Sequence, residues 1–421
     1  MVQCLLSVVK NKERKNNRVK FSFRKILILS AAAVLTLSGC SGKKENERSD
    51  IKAMEAMAEV VDEETTIVET METHPETMTL ETTAVETTAV ETTIIETTDA
   101  ETTQPETDSQ PATEDYVSFL FAGDICLEED GFVLDHFDET GGNLEQCMSP
   151  YLLERMASAD LFMLNHEYSI SSRGSRLDKY YTFRANPERM DILKQMSVDI
   201  VSLANNHVYD YGFDAFSDTI SLLDQAGIRH VGAGFNQEEA EQVEYFDVRG
   251  IRIGVVSASR AEKYVITPQA KGDKPGVFWM YDHDRLKEVT AEAASQCDFL
   301  VAYLHWGTED SEYFEDYQHN IAEELVECGV DAIIGGHPHI VQGMEFIGDV
   351  PVMYSLGDFW FNGSDKYSIM IQLNIYKDGS CTVEIIPCRQ KDYCIYAIKD
   401  SDGQTAFFDY LSRLSPGVSF G

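Results

Sequence analysis

The chain has 421 residues, 72 Asp and Glu against 34 Lys and Arg, and a formal net charge of −38. Residues 43–115 carry −17 of that and residues 116–421 carry −28, offset by +7 on residues 1–40. Such an excess of acid excludes nucleic acid as a partner, because proteins that hold nucleic acid present basic faces, and it admits a polyanion only with help from a cation.

Residues 1–40 are basic, with Lys10, Lys12, Arg14, Lys15, Arg18, Lys20, Arg24 and Lys25 ahead of an apolar run over 26–37. That run is short for a bilayer span and ends at Leu37-Ser38-Gly39-Cys40, a small-residue cleavage site. The pattern resembles a bacterial lipobox. It implies a lipoprotein signal peptide over 1–40, a diacylglycerol on Cys40, and an extracytoplasmic protein held to the cell membrane by its lipid. A plain membrane anchor or an unlipidated signal peptide fits less well with the polar Ser41-Gly42-Lys43-Lys44 that follows at once. Residues 41–115 read as a disordered acidic stalk. Glu81, Glu86, Glu91, Glu96, Glu101 and Glu106 recur every five positions among threonines, and residues 43–115 hold no Gly and no aromatic residue. A segment so poor in apolar surface cannot offset the entropy of folding, and its glutamates repel one another into an extended spacer.

From residue 116 onward the pattern becomes that of a folded α/β domain. A strand over 117–122 ends at Gly123-Asp124. A helix over 151–157 precedes an apolar run at 161–164, which ends at Asn165-His166-Glu167. A helix over 187–196 precedes 199–203, which ends at Asn205-Asn206-His207. A third helix, 284–295, leads to 299–304 and His305-Trp306-Gly307; a fourth, 317–328, leads to 330–334 and Gly336-His337-Pro338-His339. Side chains two apart at a strand end point the same way, and Pro338 cannot continue a ladder. A hairpin of 368–376 and 381–386 about Lys377-Asp378-Gly379-Ser380 is expected to belong to a second sheet.

Short, uniformly apolar strands alternating with helices predict sheets covered by helices, with ligands beyond the carboxyl ends of the strands. Five such ends deliver Asp124, Glu167, Asn206 with His207, His305, and His337 with His339. Carboxylates, an amide oxygen and imidazoles suit two divalent first-row ions (Mn, Fe or Zn) better than Ca or a thiolate zinc site. Seven cysteines fall in this region, an odd number without a CxxC, so the spacing establishes no disulfide. Ser202, Ser257 and Ser355 lack a nucleophile elbow, and Trp306, Tyr209 and Tyr211 read equally as cleft lining or core.

In this order, Gly123-Asp124, Asn165-x-Glu167, Asn205-Asn206-His207 with Tyr209-Asp210-Tyr211-Gly212, His305-Trp306-Gly307, Gly336-His337-Pro338-His339 and Tyr354-Ser355-Leu356-Gly357 resemble the CapA family of poly-γ-glutamate capsule proteins. The domain of that family is similar to calcineurin-like metallophosphoesterases. The resemblance implies a four-layer α/β/β/α sandwich over 116–365, completed by 366–421, with a dinuclear site at its rim. It implies that Glu167 bridges, that Asn206, His305 and His337 hold one ion, and that Asp124 and His339 hold the other. It gives His207 the role of general acid, oriented by Asp210, though a histidine merely bonded to Asp210 stays open.

The functions implied are a metal-dependent, phosphoesterase-like hydrolase in capsule synthesis or export, or a non-catalytic accessory that binds or anchors the polymer through metal. The partners implied are poly-γ-glutamate or a phosphate-containing substrate, and a capsule synthetase complex in the membrane. Three positions depart from the pattern. Cys126 stands where Asp-x-His phosphoesterases have histidine, as in CapA relatives that also lack it, and is expected to be a small buried residue. Asp358 replaces the usual Asn and is expected to cap a turn rather than to add a carboxylate near the ions. His166 replaces a usual Leu, and the sequence explains nothing about it.

Overall fold

The computed structural model describes residues 116–262, 267–363 and 365–420. The leader, the lipid-site Cys40 and the acidic stalk lie outside the described residues. In chain order the main elements of the first half are β1 (Tyr116–Ile125), α1 (Phe132–Glu139), α2 (Pro150–Ser158), β2 (Leu161–His166), α3 (Met190–Gln195), β3 (Ile200–Ser202), α4 (Gly212–Ala226) and β4 (Arg229–Val231). There follow β5 (Glu244–Val248), β6 (Ile251–Ser259), α5 (Asp284–Ala294), β7 (Phe299–His305), α6 (Asp316–Glu327), β8 (Ala332–Gly336), β9 (Met344–Ile347) and β10 (Val350–Met353). The last are β11 (Asp358–Trp360), β12 (Lys366–Tyr376), β13 (Cys381–Lys391), β14 (Cys394–Ala397) and α7 (Ser401–Leu414).

Two sheets result. One runs β14-β13-β12-β1-β2-β3-β4 with β11 alongside β1; the other runs β9-β10-β8-β7-β6-β5. Strand alternation builds the layers. Phe119, Phe121 and Met163 face Val255, Val301 and Ile334 in a core between the sheets. Leu120, Phe162 and Leu164 point the other way, under Leu152, Ile192 and Phe216 of α2, α3 and α4. On the second sheet Val256, Leu300 and Ala302 do the same beneath Leu286 of α5 and Ile321 and Leu325 of α6. The architecture is the expected four-layer α/β/β/α sandwich.

Two expectations need correction. The β12–β13 hairpin does not belong to the second sheet. β12 pairs antiparallel with β1, Phe119 opposite Leu373 and Phe121 opposite Ile371, because Ile369, Ile371, Leu373 and Ile375 continue the face that Phe119 and Phe121 turn to the inter-sheet core. His337 and His339 are not successive strand residues on one face either. Both lie past β8 with left-handed φ of 94° and 57°, so a tight turn rather than strand alternation aims their rings. A helix unread in the sequence, α4, begins at Gly212 and ends at Gly227 with φ 74°, the left-handed stop that favours glycine.

The motif glycines are there for close approach. A Cβ on Gly123 would lie 1.9 Å from the carbonyl oxygen of Gly357, whose oxygen accepts the Asp124 N–H at 3.1 Å. One on Gly336 would lie 2.4 Å from Asp124 Oδ1. These contacts draw β1, β8 and β11 together at one end of the sandwich. Gly123→Ala is expected to lower the unfolding free energy in urea by about 1–3 kcal/mol, since the obstructing atom is backbone and cannot swing away; an unchanged denaturation midpoint would show that the approach is not needed.

Candidate metal centre

Because β1, β2 and β3 run parallel in one sheet and β6, β7 and β8 in the other, their carboxyl ends meet at one end of the seam. Asp124 pairs in register with Asn165, and His305 with Gly336. Glu167 follows β2, Asn206 and His207 follow β3, and His337 and His339 follow β8. Asp124, Glu167 and His305 are fully buried, and Asn206 and His337 nearly so. Seven of the eight expected site residues converge on this end, and the eighth, Asp210, stands just behind His207.

The ligand atoms fall into two cradles. In the first, Glu167, His305 and His337 each offer an atom within 4.8 Å of the others. Asn206 joins them, its Oδ1 2.8 Å from His305 Nε2, which is also 3.4 Å from Glu167 Oε1. In the second, Asp124, His339 and Asp358 meet the same 4.8 Å criterion. His339 Nδ1 is 2.8 Å from Asp358 Oδ1 and 3.7 Å from Asp124 Oδ2, while its Nε2 is 3.9 Å from Glu167 Oε1. Glu167 therefore faces both cradles. Between them the Asn165 amide nitrogen donates to Asp124 Oδ1 at 2.8 Å and to Glu167 Oε2 at 3.1 Å. Asn205 holds that amide in turn, donating to Asn165 Oδ1 at 3.0 Å, and its own oxygen accepts the His207 and Val208 N–H groups.

Burial sets the charges. It raises Asp124 to about 6, with the Glu167 carboxylate adding to the effect, and raises Glu167 to about 7. It lowers His305 to about 4 and pushes His337 well below the usual imidazole range. For His339 burial also pulls downward, but Asp358 and Glu167 outweigh it and lift the ring to about 10. Glu167 Oε1, Asn206 Nδ2 and His337 Nδ1 are buried without a hydrogen-bond partner. Buried polar atoms are normally satisfied. Unpaired oxygen and imidazole lone pairs converging in a dry seam are the donor set of a divalent first-row cation, so the residues fit the ions that the sequence implies.

Behind the cradles, His207 Nδ1 donates to Asp210 Oδ2 at 2.6 Å. Asp210 is itself fixed by the Phe183 N–H at 2.8 Å and by Lys179 Nζ at 2.8 Å. The Lys179 side chain is almost fully buried and also donates to the Asn206 carbonyl. No sequence spacing marks Lys179, since it comes from a loop 31 residues before Asp210.

Asp358 does not cap a turn: it opens β11, is 2% exposed, and faces His339. Cys126 lies in the outer core under the helices, as expected of a small buried residue. His166 points into the same outer layer, stacked on Tyr168 at 3.9 Å between ring centroids, and burial holds it neutral at about 3. Trp306 is core, its indole N–H donating to the Tyr354 carbonyl at 2.9 Å.

Adding Mn2+ to the metal-stripped chain is expected to raise its stability by about 2.7 kcal/mol at a concentration a hundredfold above Kd, with reversal by EDTA. His337→Ala is expected to lose more bound metal than His339→Ala, because its cradle relies on imidazoles while the other keeps two carboxylates. Metal analysis giving the opposite order would contradict the assignment.

The profile of the family described as bacterial capsule synthesis protein PGA_cap matches residues 118–363. The capsule biosynthesis protein CapA of Bacillus anthracis is 28% identical over 250 residues, 57% of this chain and 59% of that protein. The PGA biosynthesis protein CapA of Bacillus subtilis (strain 168) is 27% identical over 281 residues, 65% of this chain and 72% of the relative. Among solved structures, a novel phosphatase from Mycoplasma pneumoniae overlaps 70% of this chain and 99% of its own at a TM-score of 0.41 and 14% identity. The 5'-nucleotidase of Candida albicans SC5314 overlaps 66% of this chain and 53% of its own at 0.36 and 13%. The chain thus spans about three fifths of the Bacillus anthracis protein, and by a family match over more than half its length it belongs to the PGA_cap family of bacterial capsule synthesis proteins.

Proposed function

We propose that this protein is a lipid-anchored, extracytoplasmic member of the capsule machinery whose domain hydrolyses a phosphate ester or a related bond with two divalent ions. The observation that carries the reading is the pair of adjacent cradles sharing Glu167, with His207 fixed beside them. Bound divalent ions would supply Lewis acidity and a charge clamp for a phosphoryl group. The chain's own residues do the remaining work. Asn165 keeps two carboxylates close and aimed. With Nδ1 committed to Asp210, His207 presents Nε2 as the nitrogen that gives a proton to a leaving oxygen. Asp210, held by Lys179 and the Phe183 N–H, keeps that imidazole in one tautomer and orientation. The electrostatic coupling of Glu167 and His337 to His207 supports a place for the acid beside the cradles.

The relatives' names support a second reading, in which the ions hold carboxylates of poly-γ-glutamate without cleaving anything. Assay of the full chain with Mn2+ and p-nitrophenyl phosphate mono- and diesters separates the two. Slow hydrolysis is expected, reduced about 10²- to 10⁴-fold in His207→Ala with metal content unchanged. A metal-loaded chain that cleaves no ester yet retains poly-γ-glutamate only when loaded would refute the hydrolase in favour of the binding role.

A further inference from the structure

We propose that Asp358 is itself a metal ligand, the one that completes the second cradle in place of the histidine absent at Cys126, and that it turns this cradle toward a hard cation such as Mn2+. The inference rests on the dinuclear reading above and goes beyond it in assigning a ligand and a selectivity.

Three observations converge on Asp358. β11 pairs parallel with β1 with Asp358 opposite Asp124, so the two carboxylates come from adjacent strands at the same level. Asp124, His339 and Asp358 each place a ligand-type atom within 4.8 Å of the other two. The Glu167 oxygen that lies 3.9 Å from His339 Nε2 and 3.4 Å from His305 Nε2 is fully buried and has no hydrogen-bond partner, which points to a ligand shared between the two cradles and not merely to a cluster of acids. Cys126 joins neither group of converging ligand atoms, and its side chain belongs to the apolar cluster under the helices. Lys366 braces the arrangement, with Nζ 3.5 Å from Asp358 Oδ2 and bonded to the His339 carbonyl at 3.1 Å.

The two cradles then differ in chemistry. The first has two imidazoles, an amide oxygen and the shared Glu167. The second has Asp124, Asp358 and the shared Glu167 with a single imidazole. Oxygen-rich sets favour Mn2+ and Mg2+, and imidazole-rich sets favour Zn2+ and other softer ions.

The competing role for Asp358 is to orient His339 by accepting its Nδ1–H, as carboxylates behind metal-bound histidines do. The 2.8 Å contact alone fits both roles, so the test must separate them. Mn2+ binding to the full chain is measured by electron paramagnetic resonance of the free ion and by metal analysis. Wild type is expected to bind two Mn2+. Asp358→Ala is expected to bind one tightly, with the second weakened about tenfold or more, and Asp358→Asn, equal in shape, to show a smaller loss. In a His339→Ala background, Asp358→Ala should weaken the second ion further; no further loss would make Asp358 an orienting residue and overturn the proposal. Asp358→His should shift the second ion's preference from Mn2+ toward Zn2+, and an unchanged preference counts against the proposed selectivity. If wild type binds two ions and Asp358→Ala binds two with equal affinity, this proposal falls while the dinuclear hydrolase stands. If wild type binds none, both fall.

Discussion

Two carboxylates, Asp124 and Glu167, sit with no exposure at the seam of two sheets, and much else in the molecule serves to keep them there. Like charges in a dry place raise one another's pKa and resist ionising together. The protein tolerates the pair by giving each an N–H from one amide, that of Asn165, and by giving Asp124 a further backbone donor from His337 at 3.0 Å. Neither donor brings a full positive charge. Burial holds His305 and His337 toward their neutral forms, while His339, held between Asp358 and Glu167, is lifted toward its charged form. A fold organised for stability alone would place leucine here, since replacing buried charge by packed apolar groups is often neutral or favourable. What remains is a set of buried lone pairs of the kind that a divalent first-row cation accepts.

That constraint explains which parts were legible in the sequence. Asp124, Glu167, Asn206, His305 and His337 were readable because parallel strands deliver their last residues to one edge, so a residue's place at the end of an apolar run stands in for its place in space. That helices cover the sheets on at least one face was readable for the same reason, from continuous apolar strands, whereas the four layers were implied by the family resemblance. Asp358 was misread because it stands at the start of a three-residue strand, where no apolar run announces it and its partner Asp124 is 234 positions away in the chain. Lys179 was not read at all, for its neighbours Asp210 and the Asn206 carbonyl come from another loop. The misassignment of the β12–β13 hairpin had a similar origin. Alternation identifies the face that is buried but not the strand across from it, and β12 found its partner in β1, more than two hundred residues earlier.

The glycines show how the sandwich and the site are one construction. At Gly123 and Gly336 the nearest obstructing atoms are the Gly357 carbonyl and the Asp124 carboxylate, so backbone from three strands crowds the very atoms that would hold an ion. Side chains there would push the strand ends apart and spread the ligand atoms with them. Position and chemistry are therefore coupled: a change that alters the packing at Gly123 or Gly336 moves the strand ends that carry Asp124 and the residues after β8.

Charge finally bears on what such a site can hold. The folded region is strongly acidic, so an anionic polymer or phosphate meets repulsion over most of the surface. Bound cations are often the largest local charges in a site and can reverse this over a short range. On the dinuclear reading, one divalent ion against Asp124, Glu167 and Asp358 leaves one negative charge, which a protonated His339 balances, and a second ion makes the seam net positive. Attraction of an anion then depends on the second cradle being filled. Asp358 acts on both sides of that balance, because a carboxylate in place of a neutral amide holds the cation more firmly but takes one unit from the positive charge left to face a substrate. An oxygen-rich second cradle therefore suits a protein that must keep its metal in the absence of substrate, at the expense of tight binding to the anion it engages.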